Sequence, residues 1–292
     1  MGFSVVIPVF NKQREVERTI KSVLAQECDF DIEVVAVDDG STDDSFNVIQ
    51  AIEDPRVRLI RKENGGESDA RNIGILNCKY ENVAFLDADD VWEIDFLSTI
   101  GMLISKYPNA EVFCTKYARV NGCSRNEPNH GLWLKSDGYI DDYFKQVNSM
   151  LGDMILTSSS VCIKKSAISK VGLFPYGDRL GADQDYWFRI FSRGLKVAYS
   201  NKICAIYFLD ASERICNNLD RYNNLNFIKR NYSRVNSKEA NRYLANARIG
   251  AINDLFDQGK KIEATLTLLK ECLFLKYATP KRLFASVAKV LK

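Results

Sequence analysis

The segment Phe85-Leu86-Asp87-Ala88-Asp89-Asp90 ends an apolar run in three carboxylates within four residues. Charges that close repel one another, so the cluster is comfortable only beside a cation or a set of hydrogen-bond donors. Alternation along an extended chain puts Asp87 and Asp89 on one side, where one can accept from a sugar hydroxyl while the other holds a divalent metal. That pairing suits a nucleoside diphosphate. The plain alternative is a solvated turn capping a helix that starts near Trp92, because Asp is also a favoured N-cap residue.

Such a cluster works only if secondary structure aims it. The first 120 residues alternate short apolar runs with helical patterns, the habit of a parallel sheet with helices on its faces. Strands are expected at Phe3–Pro8, Ile32–Asp38, Val57–Arg61, Val83–Asp87 and Val112–Tyr117. Helical spacing relates Val16, Ile20, Val23 and Leu24, and again Phe96, Ile100, Leu103 and Ile104. Four strands run into polar segments: Asn11, then Asp38-Asp39-Gly40-Ser41, Asn64-Gly65-Gly66, and Asp87 to Asp90. Ligands of open α/β sheets sit outside the carboxyl ends of the strands, so these segments are expected to share one cleft. Farther on, Thr157 to Lys164 reads as a strand, a turn surrounds Phe174-Pro175-Tyr176-Gly177, and the pattern is helical from about Arg221 with a break at Gln258-Gly259. Thr279-Pro280 reads as the start of a last helix. Leu283, Phe284, Val287, Val290 and Leu291 form one face of it, with Lys281, Lys289 and Lys292 largely elsewhere.

At 292 residues the chain can bury a full core, and no window reaches the length and apolarity of a membrane-spanning helix. The N-terminus runs directly into a strand without a leader, which predicts a cytosolic protein. The eight cysteines are widely spaced with no C-x-x-C pair, arguing for reduced thiols rather than zinc or disulfides. His130, the one histidine, lies in a polar, loop-like stretch and is expected to be structural or incidental. The net charge of +2 conceals a split: from Ser212 onward there are 16 Lys and Arg against 7 Asp and Glu, which leaves 24 against 31 before it. A basic tail on an acidic body suggests two surfaces with different partners, and a basic amphipathic final helix can lie on an anionic membrane or dock on its own domain.

Four motifs, SVVIPVFNK, VVAVDDGSTDDS, ENGGESDARNIGI and FLDADD, followed by GADQDYWFRI, occur in the order and spacing of the family 2 glycosyltransferases. Over roughly residues 3 to 210 the chain resembles that family, in its bacterial surface-polysaccharide type. The resemblance implies an α/β GT-A fold, a Rossmann-like mixed, mostly parallel sheet flanked by helices. It gives a catalytic domain at 1–211 and a helical, basic C-terminal region at 212–292 for the acceptor or the membrane. Carried over residue by residue, Pro8 and Phe10 line the nucleotide pocket, with Phe10 where tyrosine is usual. Asp39, with Asp38 beside it, accepts from the base, which suits the N3–H of a pyrimidine. Arg71 reaches the donor, Asp87 meets the ribose or sugar, and Asp89 of the DXD motif is the ligand of Mn²⁺ or Mg²⁺. Asp183 matches the general base, with Asp185 as its alternative; both could instead cap the helix that carries Tyr186, Trp187 and Arg189.

Two departures stand out. The family usually has Glu directly before the base, where this chain has Ala182, and many relatives place a metal-binding histidine after the acidic motif, where this chain has none. Metal binding without donor is therefore expected to be weak. The activity implied is inverting transfer of a hexosyl or N-acetylhexosaminyl group from a UDP-sugar, with dTDP next and GDP less favoured, to a lipid-linked saccharide at the cytoplasmic membrane face. O-antigen, capsule or exopolysaccharide assembly would be the setting. A sugar nucleotidyltransferase is disfavoured because PVFNK stands where a glycine-rich loop would follow the first strand, and nicotinamide chemistry by the missing G-x-G-x-x-G. A non-catalytic nucleotide-sugar-binding protein of the same fold is the remaining alternative. Nucleic acid is not an expected partner, since the basic tail contains no recognisable module.

Overall fold

The structure, a computed structural model, describes residues 1–128, 135–149, 154–178, 180–212, 226–232 and 236–290. His130, Leu291 and Lys292, each named above, lie outside them, as does Cys216, one of the eight cysteines. Apolar runs bounded by turns become strands β1 (Gly2–Val9), β2 (Asp31–Asp38), β3 (Val57–Arg61), β4 (Asn82–Phe85), β5 (Val91–Trp92), β6 (Val112–Asn121), β7 (Ser124–Asn126), β8 (Gly138–Tyr139), β9 (Val161–Lys164) and β10 (Val197–Phe208). Their order is β3-β2-β1-β4-β9-β6-β10-β5, with β7 paired to β6 and β8 to β10. Parallel ladders join β3, β2, β1 and β4, and another joins β6 to β10. Strand β9 is antiparallel to both β4 and β6, so β1, β2, β3, β4, β6 and β10 still point one way. All their carboxyl ends open on the same edge.

Side-chain alternation sorts the strands onto two helical layers. From β1, Phe3, Val5, Ile7 and Val9 face helices α1 (Val16–Leu24) and α4 (Phe96–Lys106), joining Val16, Ile20, Ile100 and Leu103 in one core. Val6 of β1 faces the other way, with Val35 and Val37 of β2, toward α3 (Glu67–Leu76), α5 (Tyr143–Ser149) and α7 (Ala182–Ser192). Helix α3 lies very close to the sheet: a Cβ on Gly74 would come within 2.3 Å of Val6 Cγ1. That glycine lets α3 sit down on β1 and so sets the depth of Arg71, one turn earlier. Short helices α2 (Ser45–Gln50) and α6 (Lys165–Val171) complete this part of the chain.

The expected strand from Thr157 is half right. Thr157 and Ser160 bond reciprocally, their side chains each accepting from the other's backbone, so Ser158–Ser160 form a 3-10 turn and the strand begins only at Val161. Toward the C-terminus follow α8 (Asn226–Asn231), α9 (Lys238–Asp257), α10 (Lys261–Lys270), α11 (Cys272–Leu275) and α12 (Pro280–Val290). Helix α9 stops before Gly259, which adopts φ 79°, and α12 starts at Pro280. Phe227, Ile228, Tyr243 and Leu244 of the C-terminal region belong to the same core as the sheet. Only the opposite face of α9, with Ile249, Ile252 and Leu255, builds a small core of its own against Ala264 and Leu268 of α10 and Leu275 of α11.

Candidate active site

At the carboxyl edge of the sheet the polar strand ends are tied to one another. Asn11, at φ 52° after β1, accepts from the Thr42 N–H at 2.9 Å and donates its own N–H to Ser41 Oγ at 3.0 Å. Pro8 is buried in β1, while Phe10 is 38 % exposed at its end. Asp38 is fully buried; it accepts from the Ser41 N–H and its other oxygen lies 3.3 Å from Arg61 Nε. Asp39 is 2 % exposed and is wrapped by the connection after β3. Its carboxylate accepts from Gly65 N–H (2.9 Å), Gly66 N–H (2.8 Å) and the Lys62 ammonium (2.6 Å), which also meets Asp69 at 2.8 Å.

Arg71 lies at the centre of the carboxylates. It is 3 % exposed and its Nη2 bridges Glu67 Oε1 at 2.6 Å and Asp87 Oδ1 at 2.7 Å, with Phe174 under the guanidinium at 5.4 Å from the ring centroid. Burial works against the charge on Arg71, but Glu67 and Asp87 outweigh it and hold the guanidinium above its ordinary range. A charge so enclosed needs these partners: unpaired, it would cost several kcal/mol. The Nε of Arg71 is buried without a hydrogen-bond partner among the described residues.

The three carboxylates of FLDADD end in three different places. Asp87, its N–H on Ser159 Oγ, faces Arg71. Asp89 pairs with the Lys12 ammonium at 3.0 Å. Asp90 is fully buried, accepting from Ser159 Oγ–H and the Phe208 N–H. Desolvation, reinforced by Asp89 and Asp87, pushes the Asp90 carboxyl well above the usual range. Loss of hydration also raises Asp89, with Lys12 opposing it. No helix starts at Trp92, which lies in β5; α4 begins only at Phe96, after Asp95, so the turn caps no helix, and Asp90 instead ties it to Ser159 and Phe208 while Asp87 and Asp89 stay at the strand end.

Asp183 stands in the first turn of α7, just after Gly181, and its Oδ1 accepts from the Gln184 N–H at 2.7 Å. It lines a cleft of about 240 Å³ with Arg71, Asp87, Glu67 and Ala182. Desolvation raises its pKa, the Arg71 charge works against that, and Asp87 adds to it. Glu67 is raised too, first by lost hydration and then by Asp87, Asp183 and Asp89, against Arg71. The Glu67 side chain is 44 % exposed at the mouth, where solvent screens these effects. Asp185 lies elsewhere. It is buried between helices, accepting from Arg189 Nε at 2.7 Å and Asn231 Nδ2 at 2.9 Å, and so joins α7 to α8.

Sequence reasoning did not pick out Glu67, Lys12 or Lys62. The first had a signal, since Glu67 and Arg71 are spaced i, i+4 on a helix; the two lysines meet partners 77 and 23 residues away. A larger hollow of about 500 Å³, between Tyr139, Tyr143 and Phe191, shares no lining residue with the cleft. For a divalent cation the chain's own offer is narrow. Asp87 is engaged by Arg71, Asp90 is sealed, and among the described residues no three His, Cys, Asp or Glu side chains gather around a point. Asp89 can give one ligand; the rest would have to come from a diphosphate and water.

The sequence profile described as "Glycosyl transferase family 2" matches residues 4–171, more than half of the chain. A similar protein is the Escherichia coli UDP-Glc:alpha-D-GlcNAc-diphosphoundecaprenol beta-1,3-glucosyltransferase WfaP, 28% identical over 71% of this chain and 77% of that one. Glycosyltransferase GlyG of Streptococcus pneumoniae is 36% identical over 59% of this chain and 57% of its own. Against Glycosyltransferase GlyA of the same species the chain spans only 30% of the relative's length. Among solved structures, S. aureus TarS 1-349 in complex with UDP-GlcNAc superposes with a TM-score of 0.69 at 17% identity, covering 100% of this chain and 88% of that one. The fold, with its mostly parallel sheet flanked by helices, is thus the GT-A fold, and the chain belongs to glycosyl transferase family 2.

Proposed function

We propose that the protein transfers a hexosyl or N-acetylhexosaminyl group, with inversion, from a UDP-sugar to a lipid-linked saccharide during assembly of a surface polysaccharide. The observation that carries this reading is the convergence of Arg71, Asp87 and Asp183 on one cleft at the carboxyl edge of the sheet. The donor of WfaP is named as UDP-Glc and its acceptor as a diphosphoundecaprenol-linked GlcNAc, and TarS is described with both UDP-GlcNAc and UDP. Both descriptions support a uridine donor here, and that of WfaP supports a lipid-linked acceptor.

In this reading Asp39 receives the N3–H of the base, rigidly held by the glycine amides that already fix it. Phe10 and Pro8 form the adjacent wall, and Asp38 braces the turn beneath. Arg71 offers its fixed charge to the diphosphate, and Asp87, oriented by Arg71, meets ribose or sugar hydroxyls. The acceptor oxygen attacks the anomeric carbon opposite the diphosphate, the carbon–oxygen bond to the phosphate breaks, and Asp183 takes the hydroxyl proton. Raising the Asp183 pKa brings its basicity closer to the working pH, where a general base is most effective. Mn²⁺ or Mg²⁺ held by Asp89 and the diphosphate would neutralise charge on the departing nucleotide. Asp185, tied into the α7–α8 contact, keeps only a positioning role.

The C-terminal helices supply the membrane part of the proposal. On α12 Phe284 is 73 % exposed, and Ile262, Leu266, Leu269 and Leu273 recur at four- and three-residue steps along α10 and α11, each more than 60 % exposed. Lys261, Lys270, Lys276 and Lys281 are exposed around them. Apolar side chains with basic neighbours suit the surface of an anionic bilayer, which would place the enzyme peripherally at the cytoplasmic face. Among the described residues no helix is long and apolar enough to cross a membrane.

Calorimetric titration with UDP, dTDP and GDP, with and without Mn²⁺, tests the donor site. UDP is expected to bind, more tightly with metal, and Asp89→Ala to lose the metal effect. If no nucleotide binds in the presence of Mn²⁺, the reading falls.

A further inference from the structure

Lys12, the last residue of SVVIPVFNK, is given no role by the sequence alone, and it is tightly constrained. Its main chain is fixed at the entry to α1: the N–H donates to Ser45 Oγ at 2.7 Å, and its carbonyl accepts from Glu15 N–H at 3.0 Å and Val16 N–H at 2.9 Å. The side chain is 11 % exposed and its ammonium lies 3.0 Å from Asp89 Oδ2, itself on a side chain 15 % exposed. The same ammonium donates to the Ser212 carbonyl. Ser212 is in turn held by Glu15, whose Oε1 accepts from its N–H at 3.1 Å and its hydroxyl at 2.8 Å. Asp89 is pinned from the backbone as well, its carbonyl accepting from Arg18 at 3.0 Å. One ammonium thus joins the ends of β1, β4 and β10.

We infer that the Lys12 ammonium is the resident cation of Asp89, that it competes with a divalent metal for this carboxylate, and that it yields Asp89 only when a diphosphate gives it another anion. The inference rests on the donor-site reading above. Asp89 has a neighbour of its own sign in Asp87, so an empty pocket there would be unfavourable, and the ammonium relieves it. An ammonium has three donors on a flexible stem; two are spent on Asp89 and Ser212, and the third is free to meet a phosphate oxygen without the backbone moving. Because a single carboxylate shared with a lysine is a poor metal site, metal and nucleotide must favour each other's binding, by the same factor in both directions. The lysine takes the place that a further protein ligand would otherwise need to fill, and makes metal entry conditional on donor.

Mn²⁺ titration of the full chain, followed by electron paramagnetic resonance with and without UDP, tests this on wild type, Lys12→Met, Lys12→Arg and Lys12→Met/Asp89→Asn. Wild type is expected to bind Mn²⁺ weakly alone and about ten- to a hundredfold more tightly with UDP. Lys12→Met should bind Mn²⁺ without UDP at least about tenfold more tightly than wild type, a gain the double variant loses. Lys12→Arg, which keeps the charge, should stay weak without UDP and report on folding. If Lys12→Met leaves Mn²⁺ affinity without UDP unchanged, or wild type binds Mn²⁺ equally with and without UDP, the inference is overturned. Absence of UDP binding to wild type would instead remove the donor site itself.

Discussion

The cleft and the C-terminal helices solve opposite problems. At the carboxyl edge of the sheet charge is buried and apolar surface is scarce: Arg71, Asp39 and Asp90 are all under 4 % exposed, and each carboxylate there is answered by an amide, a hydroxyl or a cation. In α10 to α12 Ile262, Leu266, Leu269, Leu273 and Phe284 face outward beside the small core of Ala264, Leu268 and Leu275, and Ser286 is the one buried residue of α12 among those described. Burying charge costs free energy that only partners return, so the first region is organised for a polar ligand. Leaving leucines in water forgoes about 1.5–3 kcal/mol apiece, which suits the second to the bilayer surface proposed above. The difference separates chemistry from location within one chain.

The sharpest way to break that separation is at the base. Asp183→Asn is expected to cut turnover about 10²- to 10⁴-fold while leaving UDP affinity and vesicle binding intact, as measured by product formation, calorimetry and flotation. Since its pKa is raised and only the carboxylate accepts a proton, kcat/KM of wild type should fall as pH drops through a midpoint above about 3.9, the ordinary value for Asp. An acid limb at or below that ordinary value would count against Asp183.

Arg71→Ala tests whether the cleft is held by its charges. Removing the cation strands Glu67 and Asp87, and urea denaturation should show a loss of roughly 3–5 kcal/mol, partly recovered by Glu67→Gln in the same chain. On the other side of the comparison, Leu266→Ser with Leu273→Ser should weaken binding to anionic vesicles about tenfold or more and leave UDP binding and stability nearly unchanged. A fall in stability as large as that of Arg71→Ala would mean these leucines pack within the protein.

The smallest effect concerns Asp90. Its native pKa lies above the unfolded value of about 3.9, so the native state holds that proton more tightly. The stabilisation this gives is complete below the unfolded pKa and is lost as pH rises through the native one. Asp90→Asn keeps an acceptor for the Phe208 N–H and can donate to Ser159, so its melting temperature should fall less than that of wild type as pH rises from 4 toward neutrality. Asp90→Ala should cost about 1–3 kcal/mol at all pH values.

Much of the sheet was legible because parallel strands buried on both faces must be apolar throughout, and β1 to β4 and β6 lie where the apolar runs end in polar turns. The strand expected from Thr157 was delayed by a local Thr–Ser hydrogen-bond pair that an apolar count cannot register. Asp183 and Asp185 looked equivalent as letters two apart. On a helix they are separated by about 200°, so when Asp183 faces the cleft Asp185 must face the neighbouring helix, where its i, i+4 arginine was already visible. The boundary at residue 211 marks a change in charge and pattern, yet packing ignores it, because Phe227 and Tyr243 reach back into the first core.

By itself the sequence determined which residue types stand at the strand ends, since turn chemistry and apolar periodicity are local. Which carboxylate of FLDADD would face an arginine, a lysine or a sealed hydroxyl was decided only by tertiary structure. Those partners come from residues 71, 12 and 159, and electrostatic free energy depends on distance through space and on lost water, neither of which is written along the chain.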